Sequence, residues 1–116
     1  MRKPGTNEDN AQMSDFICDF CTQQWSETRP MIEGHRGSLI CSNCLTLAYD
    51  EVWNHGGGVP APGESLCILC LSHRDELHWE SPVNADIRAC KRCIKQSVVM
   101  LERDPEYGWK RPGASE

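Results

Sequence analysis

The chain has 116 residues, a formal net charge of −5 and only 7% aromatic residues. A chain of this size with so few aromatic side chains is poorly suited to an extended packed sheet, so its folding needs support beyond a hydrophobic core. The polar start MRKPGTNEDNAQM is unlike a secretory signal, and no apolar run nears the ~20 residues that cross a bilayer. We therefore expect a cytoplasmic protein.

The eight cysteines form four C-x2-C pairs. Each of the last four follows its counterpart by 49 positions, so both halves read C-x2-C-x19-C-x2-C. This spacing is typical of a four-cysteine zinc site, and it predicts two Zn²⁺ ions per chain. The predicted metal ligands are Cys18, Cys21, Cys41 and Cys44 in the first half and Cys67, Cys70, Cys90 and Cys93 in the second.

The cysteine repeat also locates the predicted structural elements of the first half of the chain. Residues 1–13 are polar and predict a disordered tail. In module 1, residues 14–54, the first cysteine pair predicts a knuckle, and residues 25–33 and 37–40 predict a β-hairpin. The second pair opens a predicted helix, whose apolar residues Leu45, Ala48, Tyr49 and Val52 recur at helical spacing.

The glycines and prolines of residues 55–64 predict a linker, because neither a helix nor a strand runs through them. Module 2, residues 65–107, repeats the order, with a hairpin near residues 76–81 and 86–89. Its helix carries Ile94, Val98 and Leu101 on one face and ends before Pro105. Residues 108–116 predict a second disordered tail.

Knuckle, hairpin and helix in this order indicate a small metal-stabilised α+β fold of two tandem treble-clef-like zinc modules. A tetrahedral site with four cysteine ligands leaves no position for water or substrate, so the sites are structural and no enzymatic activity is predicted. Because the linker does not force the modules together, we expect Cys41→Ser to unfold module 1 and leave module 2 largely folded.

Three other uses of the thiols compete with zinc. Disulfides are rare in a reducing cytosol. Thioredoxin-like redox chemistry needs a low-pKa thiol in a βαβ setting that the sequence lacks. Iron in place of zinc remains open, because four thiolates also suit iron.

One stretch of the sequence resembles a known family. FICDFCTQQWSETRPMIEGHRGSLICSNCLTLAYDEV is similar to the N-terminal zinc-binding domain of ClpX-type unfoldases over about residues 16–54, and more weakly over 66–103 through the repeat. The resemblance implies zinc binding by both cysteine quartets, dimerisation and recruitment of adaptors or substrates. The phosphate-binding loop of an ATPase, G-x-x-x-x-G-K-[ST], is not found here, so only the docking module is implied.

The predicted function is therefore protein–protein interaction, with an unidentified protein partner and with self-association or intramolecular pairing of the modules. Spare apolar residues on the helices favour this: Leu47, Trp53, Val99 and Met100. A zinc-finger nucleic-acid-binding regulator is the alternative. It is disfavoured because two zinc–tetrathiolate centres take the net charge to about −9, although Lys91, Arg92 and Lys95 keep weak phosphate contact open.

Three groups of residues have simpler interpretations. The four histidines, His35, His55, His73 and His78, are expected to serve surface or packing roles, because each quartet is complete in cysteine. Trp25 and Trp79 are expected in the core, and Asp50 and Glu51 on the solvated side of a helix.

Overall fold

The computed structural model describes residues 16–60, 66–72, 76–84 and 86–113. Its elements are β1 (Met31–Glu33), a 3₁₀ turn (His35–Gly37), β2 (Leu39–Cys41), α1 (Ser42–Tyr49), a π-helical turn (Asp50–Asn54), β3 (Val59–Pro60), β4 (Leu77–Glu80), β5 (Arg88–Cys90) and α2 (Lys91–Glu102). Each half thus contains a knuckle, a hairpin and a helix, which confirms the predicted fold class. No helix within the described ranges has the length and apolar character to cross a membrane.

The first hairpin is shorter than the sequence suggested. Strands β1 and β2 are antiparallel, with Ile32 opposite Ile40. The expected strand from residue 25 begins only at Met31, because Ser26 and Arg29 close a separate tight turn and Pro30 has no N–H to donate to a ladder. Arg36 and Gly37 make the connecting turn in the left-handed region, with φ of 54° and 73°.

Both helices begin directly after a cysteine. Cys41 precedes α1 and Cys90 precedes α2, as the sequence predicted. The first helical stretch continues through the π-helical turn to Asn54, before the glycines of the linker. Helix α2 ends at Glu102, since Pro105 follows and cannot continue it.

The described part of the linker adds a strand to module 2. Val59 and Pro60 form β3, which pairs with His78 and Leu77 of β4 in an antiparallel ladder. The sheet therefore has the order β3-β4-β5. The sequence pointed to an extended linker here and gave no indication of this pairing.

The two modules share one hydrophobic core. Helix α1 contacts α2, and the ring of Phe20 lies 5.5 Å from that of Trp79 between centroids. The shared cluster also contains the buried residues Leu45, Val52, Leu69, Ile94, Val98 and Leu101. The modules are therefore not the independent units that the linker suggested.

Two hydrogen bonds join the knuckle of each module to the hairpin segment of the other. The carbonyl of Phe20 accepts a hydrogen bond from the Ser81 hydroxyl of module 2. The carbonyl of Leu69, which is 49 positions after Phe20, accepts one from the His35 N–H of module 1 at 2.9 Å. Each knuckle therefore packs on the hairpin segment of the other module.

The segment after α2 packs on the modules. The Arg111 side chain donates from Nε to Glu102 Oε2 at 2.8 Å and from Nη1 to the Tyr49 hydroxyl at 3.3 Å. Trp109 is partly buried against the core. These contacts differ from the disordered tail expected from residue 108. The other expected tail, residues 1–13, lies outside the described residues, as do 61–64, His73 and 114–116.

Candidate metal centres

The structure brings the eight predicted ligands together in two groups of four. The sulfurs of Cys18, Cys21, Cys41 and Cys44 all lie within 4.8 Å of one another, and so do those of Cys67, Cys70, Cys90 and Cys93. In each group three cysteines are buried and one is partly exposed. Among the described residues, no histidine or carboxylate joins either group.

The separations of the sulfurs match a tetrahedral zinc site. A tetrahedron with Zn–S bonds of ~2.3 Å has S···S edges of about 3.8 Å. The Sγ atoms of Cys18 and Cys44 lie 3.8 Å apart, those of Cys21 and Cys41 3.6 Å, and those of Cys70 and Cys90 4.0 Å. All eight cysteines are free, and these distances far exceed the ~2.05 Å of a disulfide.

The first pair of each quartet sits in a tight knuckle that the repeat reproduces. The Phe20 N–H donates to Cys18 Sγ at 3.3 Å, and the Leu69 N–H donates to Cys67 Sγ at 3.3 Å. The loop closes through Thr22 and Leu71, both with left-handed φ, of 63° and 57°. Amide donors aimed at sulfur stabilise the thiolate form that a metal needs.

The second pair of each quartet lies at a helix start. Cys90 caps α2, and its Sγ accepts a hydrogen bond from the Cys93 N–H at 3.4 Å. Cys41 precedes α1 in the same way, and its N–H donates to Cys18 Sγ at 3.4 Å. Unpaired N–H groups and the positive end of the helix dipole both favour negative charge at these positions.

The knuckles are fixed to the hairpins by equivalent bonds. The Asp19 N–H donates to the Leu39 carbonyl at 3.0 Å, and the Ile68 N–H donates to the Arg88 carbonyl at 3.0 Å. In module 1 the Asp19 carboxylate also accepts from the Leu39 N–H at 2.7 Å. These bonds set the distance between the first and second cysteine pairs of each site.

Electrostatics within the quartets favour a bound cation. Hydrogen bonding to Cys41 and Cys44 lowers the pKa of the Cys18 thiol, and hydrogen bonding to Cys90 and Cys93 lowers that of Cys67. The same interactions raise the pKa values of Cys44 and Cys93. Without a metal ion each site thus favours the thiolate of its first cysteine and disfavours that of its last. Four thiolates together require a divalent cation between them.

Comparison with known families identifies the first of these centres. Residues 17–52, about a third of the chain, match the family model of the ClpX C4-type zinc finger. Over these residues module 1 is similar to the ClpX C4-type zinc finger. No curated protein and no solved structure matches the chain.

The second centre lies outside the range matched by the ClpX C4-type model. It nevertheless repeats the cysteine spacing, the knuckle bonds and the helix start of module 1 at an offset of 49 residues. The two four-cysteine sites are compatible with two Zn²⁺ ions per chain, and the second cluster of cysteines indicates a second zinc module.

The structure also locates the histidine, tryptophan and acidic residues that were identified in the sequence. His35 and His55 are exposed, whereas His78 is fully buried on β4 with its Nδ1 2.8 Å from the Glu76 carbonyl. Trp79 is buried as expected, but Trp25 is only half-buried and lies outside the core cluster. Asp50 pairs with His55, and Glu51 is exposed, in line with the solvated helix side predicted for both.

The basic residues at the start of α2 face module 1. The ammonium of Lys91 lies 4.5 Å from the centroid of the Trp53 ring, and that of Lys95 lies 5.2 Å from it. Sequence reasoning associated these residues with weak contact to phosphate. It missed the roles of Tyr107 and Arg111, although two large aromatic residues, Tyr107 and Trp109, in a polar segment are a signal of packing.

Proposed function

We propose that the protein is a non-catalytic protein–protein interaction module in which the eight cysteines hold two structural zinc ions. One observation carries this proposal. The four sulfurs of each quartet lie together, and residues 17–52, which hold the first quartet, match the ClpX C4-type zinc finger. A tetrahedral zinc centre with four thiolate ligands has no open position, so it supports a surface and does no chemistry.

The exposed apolar side chains support an interaction role. Leu47 on α1 is 56% exposed and Met100 on α2 is 54% exposed. Both come from helices whose opposite faces are already buried in the shared core. Domains of the ClpX C4 type serve in protein docking, so we infer adaptor-like docking or substrate recruitment through these exposed side chains. Free thiols in all eight positions favour a reducing cytoplasmic location.

The nucleic-acid alternative has less support. Two of the three basic residues that could contact phosphate, Lys91 and Lys95, lie over the Trp53 ring instead. The formal charge of −5 becomes about −9 with two zinc–tetrathiolate centres, which opposes binding to a polyanion.

Zinc loading and capture of partners test the proposal. Native mass spectrometry of the protein purified without added metal should show two Zn²⁺ per chain. The immobilised zinc-loaded protein should then retain proteins after nuclease treatment, and Leu47→Ser with Met100→Ser should reduce that retention without loss of zinc. Retention that nuclease abolishes would instead establish the nucleic-acid function.

A further inference from the structure

A cleft of about 370 Å³ on module 1 combines aromatic walls with acidic groups. Three aromatic side chains line it, Phe16, Trp25 and Tyr107, and Met31 and Leu39 add apolar surface. Two carboxylates, Glu33 and Asp104, complete the lining. Neither zinc site contributes a ligand to this cleft, and the proposed function does not use it.

Backbone pairing holds two of the aromatic residues in place. The Trp25 N–H donates to the Phe16 carbonyl at 2.9 Å, next to the isolated bridge between Ile17 and Gln24. Both aromatic side chains are half-buried and neither belongs to the core cluster. Each ring therefore presents part of its surface to the cleft.

The third aromatic wall comes from the turn after α2. The Asp104 N–H donates to the Leu101 carbonyl at 3.2 Å, and Asp104 Oδ1 accepts from the Glu106 N–H at 2.9 Å. This turn brings Tyr107 over module 1, where it packs partly against the core. The cleft thus exists only because the segment after α2 folds back.

Among the described residues, no basic side chain pairs with the acidic groups of the cleft. Glu33 lies on β1, two residues from Met31 and therefore on the same face of the strand. In the described part of the chain, neither Glu33 nor Asp104 takes part in an ion pair. Burial and the nearby carboxylates of Glu106, Asp104 and Glu27 raise the pKa of Tyr107, so the surroundings carry negative potential.

The zinc fold does not require these residues. At an offset of 49, Phe16 corresponds to Ser65, Trp25 to Arg74 and Glu33 to Pro82. Module 2 therefore completes its cysteine quartet without counterparts of these three side chains. The lining that module 1 contributes therefore has no counterpart in module 2, and Asp104 and Tyr107 from the segment after α2 complete the cleft.

We propose that this cleft binds a basic side chain, arginine or lysine, presented by an extended segment of a partner protein. Aromatic faces attract a cation, and the two carboxylates complement its charge. The apolar lining suits the methylene stem, which buries readily while its charged end stays near the carboxylates. A second copy of this acidic chain is a poor occupant, because its net charge repels it.

This inference rests on the proposed function and gives the chemistry of its partner. The test uses the full zinc-loaded chain and a fluorescently labelled peptide with a central arginine flanked by leucines. The same peptide with citrulline, a neutral isostere of arginine, is the ligand control. Fluorescence anisotropy at low ionic strength should show about tenfold tighter binding of the arginine peptide.

Matched variants locate the binding. Glu33→Gln combined with Asp104→Asn should remove the preference for arginine, and Trp25→Leu should weaken binding of the arginine peptide several-fold. As a control, Glu51→Gln combined with Asp86→Asn also removes two carboxylate charges, but outside the cleft. This variant should keep the preference for the arginine peptide. Zinc content and circular dichroism confirm that each variant folds.

Three results would overturn the proposal: no measurable binding of the arginine peptide, equal affinity for both peptides, or an equal loss in the control double variant. In each case the capture experiment above still decides the proposed function. If proteins remain bound to the zinc-loaded chain and to the Glu33/Asp104 variant alike, the cleft is not the docking site and the interaction function stands.

Discussion

The indole N–H of Trp53 donates a hydrogen bond to the carbonyl of Lys91 at 2.9 Å. Trp53 belongs to the helical end of module 1, and Lys91 is the first residue of α2 in module 2. The same ring lies beneath the ammonium groups of Lys91 and Lys95 and stacks on Tyr49 at 6.2 Å between centroids. One side chain at the end of one module therefore fixes the start of the other module's helix.

Replacement of Trp53 tests this junction. Trp53→Ala removes one hydrogen bond and two cation–π contacts, and we expect a loss of about 1–3 kcal/mol in the free energy of unfolding. Trp53→Phe keeps an aromatic face but has no N–H, so its loss should be about half as large. Urea denaturation with zinc retained measures both. Equal stability of the alanine variant and the wild type would show that the junction contributes nothing.

Replacement of Gly34 tests how closely the knuckle of module 2 packs on the hairpin of module 1. A Cβ at this position would lie 2.6 Å from the Leu69 carbonyl oxygen and 2.8 Å from Leu69 Cα, both backbone atoms that cannot rotate away. We expect Gly34→Ala to destabilise the fold by about 1–3 kcal/mol. Gly37→Asn is the control, because its Cβ meets no neighbour and asparagine tolerates the left-handed φ of 73°. A similar effect of both variants would argue against close docking.

Loss of one metal ligand should reduce the stability of both modules. Cys41→Ser should reduce the zinc content from two ions to one, which native mass spectrometry measures. Because Phe20 of knuckle 1 packs on Trp79 and the core is shared, the amides of β4 and α2 should lose protection from hydrogen exchange. Unchanged protection in module 2 would instead restore the picture of two independent modules.

The Glu102–Arg111 pair makes a prediction about pH. The Arg111 guanidinium lowers the pKa of the Glu102 carboxyl, mainly through its hydrogen bonds. A lowered folded-state pKa stabilises the fold at pH values above the unfolded pKa, and this contribution disappears as the pH falls through the folded value. Glu102→Gln should therefore cost about 1 kcal/mol at neutral pH.

The pH range of that difference provides the check. The stability difference between wild type and Glu102→Gln should stay constant from pH 7 to about pH 5.5 and shrink only below about pH 4.5. Denaturation curves of the two proteins, recorded in parallel at each pH, give the difference directly and cancel effects common to both. A difference that already shrinks above pH 5.5 would contradict the assignment.

Local chemistry explains what the sequence could predict. The C-x2-C spacing limits which cysteines can share a metal, and the apolar residues after Cys41 and Cys90 recur at the helical period. The quartets and helix starts were therefore predictable. Such signals are local, because each depends on residues within one module.

The contacts that were missed join different structural elements. The pairing of Val59 with His78 and the bonds of Arg111 to Glu102 and Tyr49 join segments whose own composition is polar or rich in glycine and proline. Local propensity cannot reveal them, since their stability comes from a partner elsewhere in the chain. For the same reason the cleft lined by Trp25 and Tyr107 could not be foreseen, as its two sides are far apart in sequence.

Strand β3 also affects how the sheet of module 2 meets other molecules. It is one of the two outer strands, and its second residue, Pro60, has no N–H to offer an incoming strand. On the opposite side, Ile68 of knuckle 2 already donates to the Arg88 carbonyl of β5. Both edges of this small sheet are thus protected from pairing with a strand of another molecule. Open sheet edges can aggregate in this way in concentrated protein.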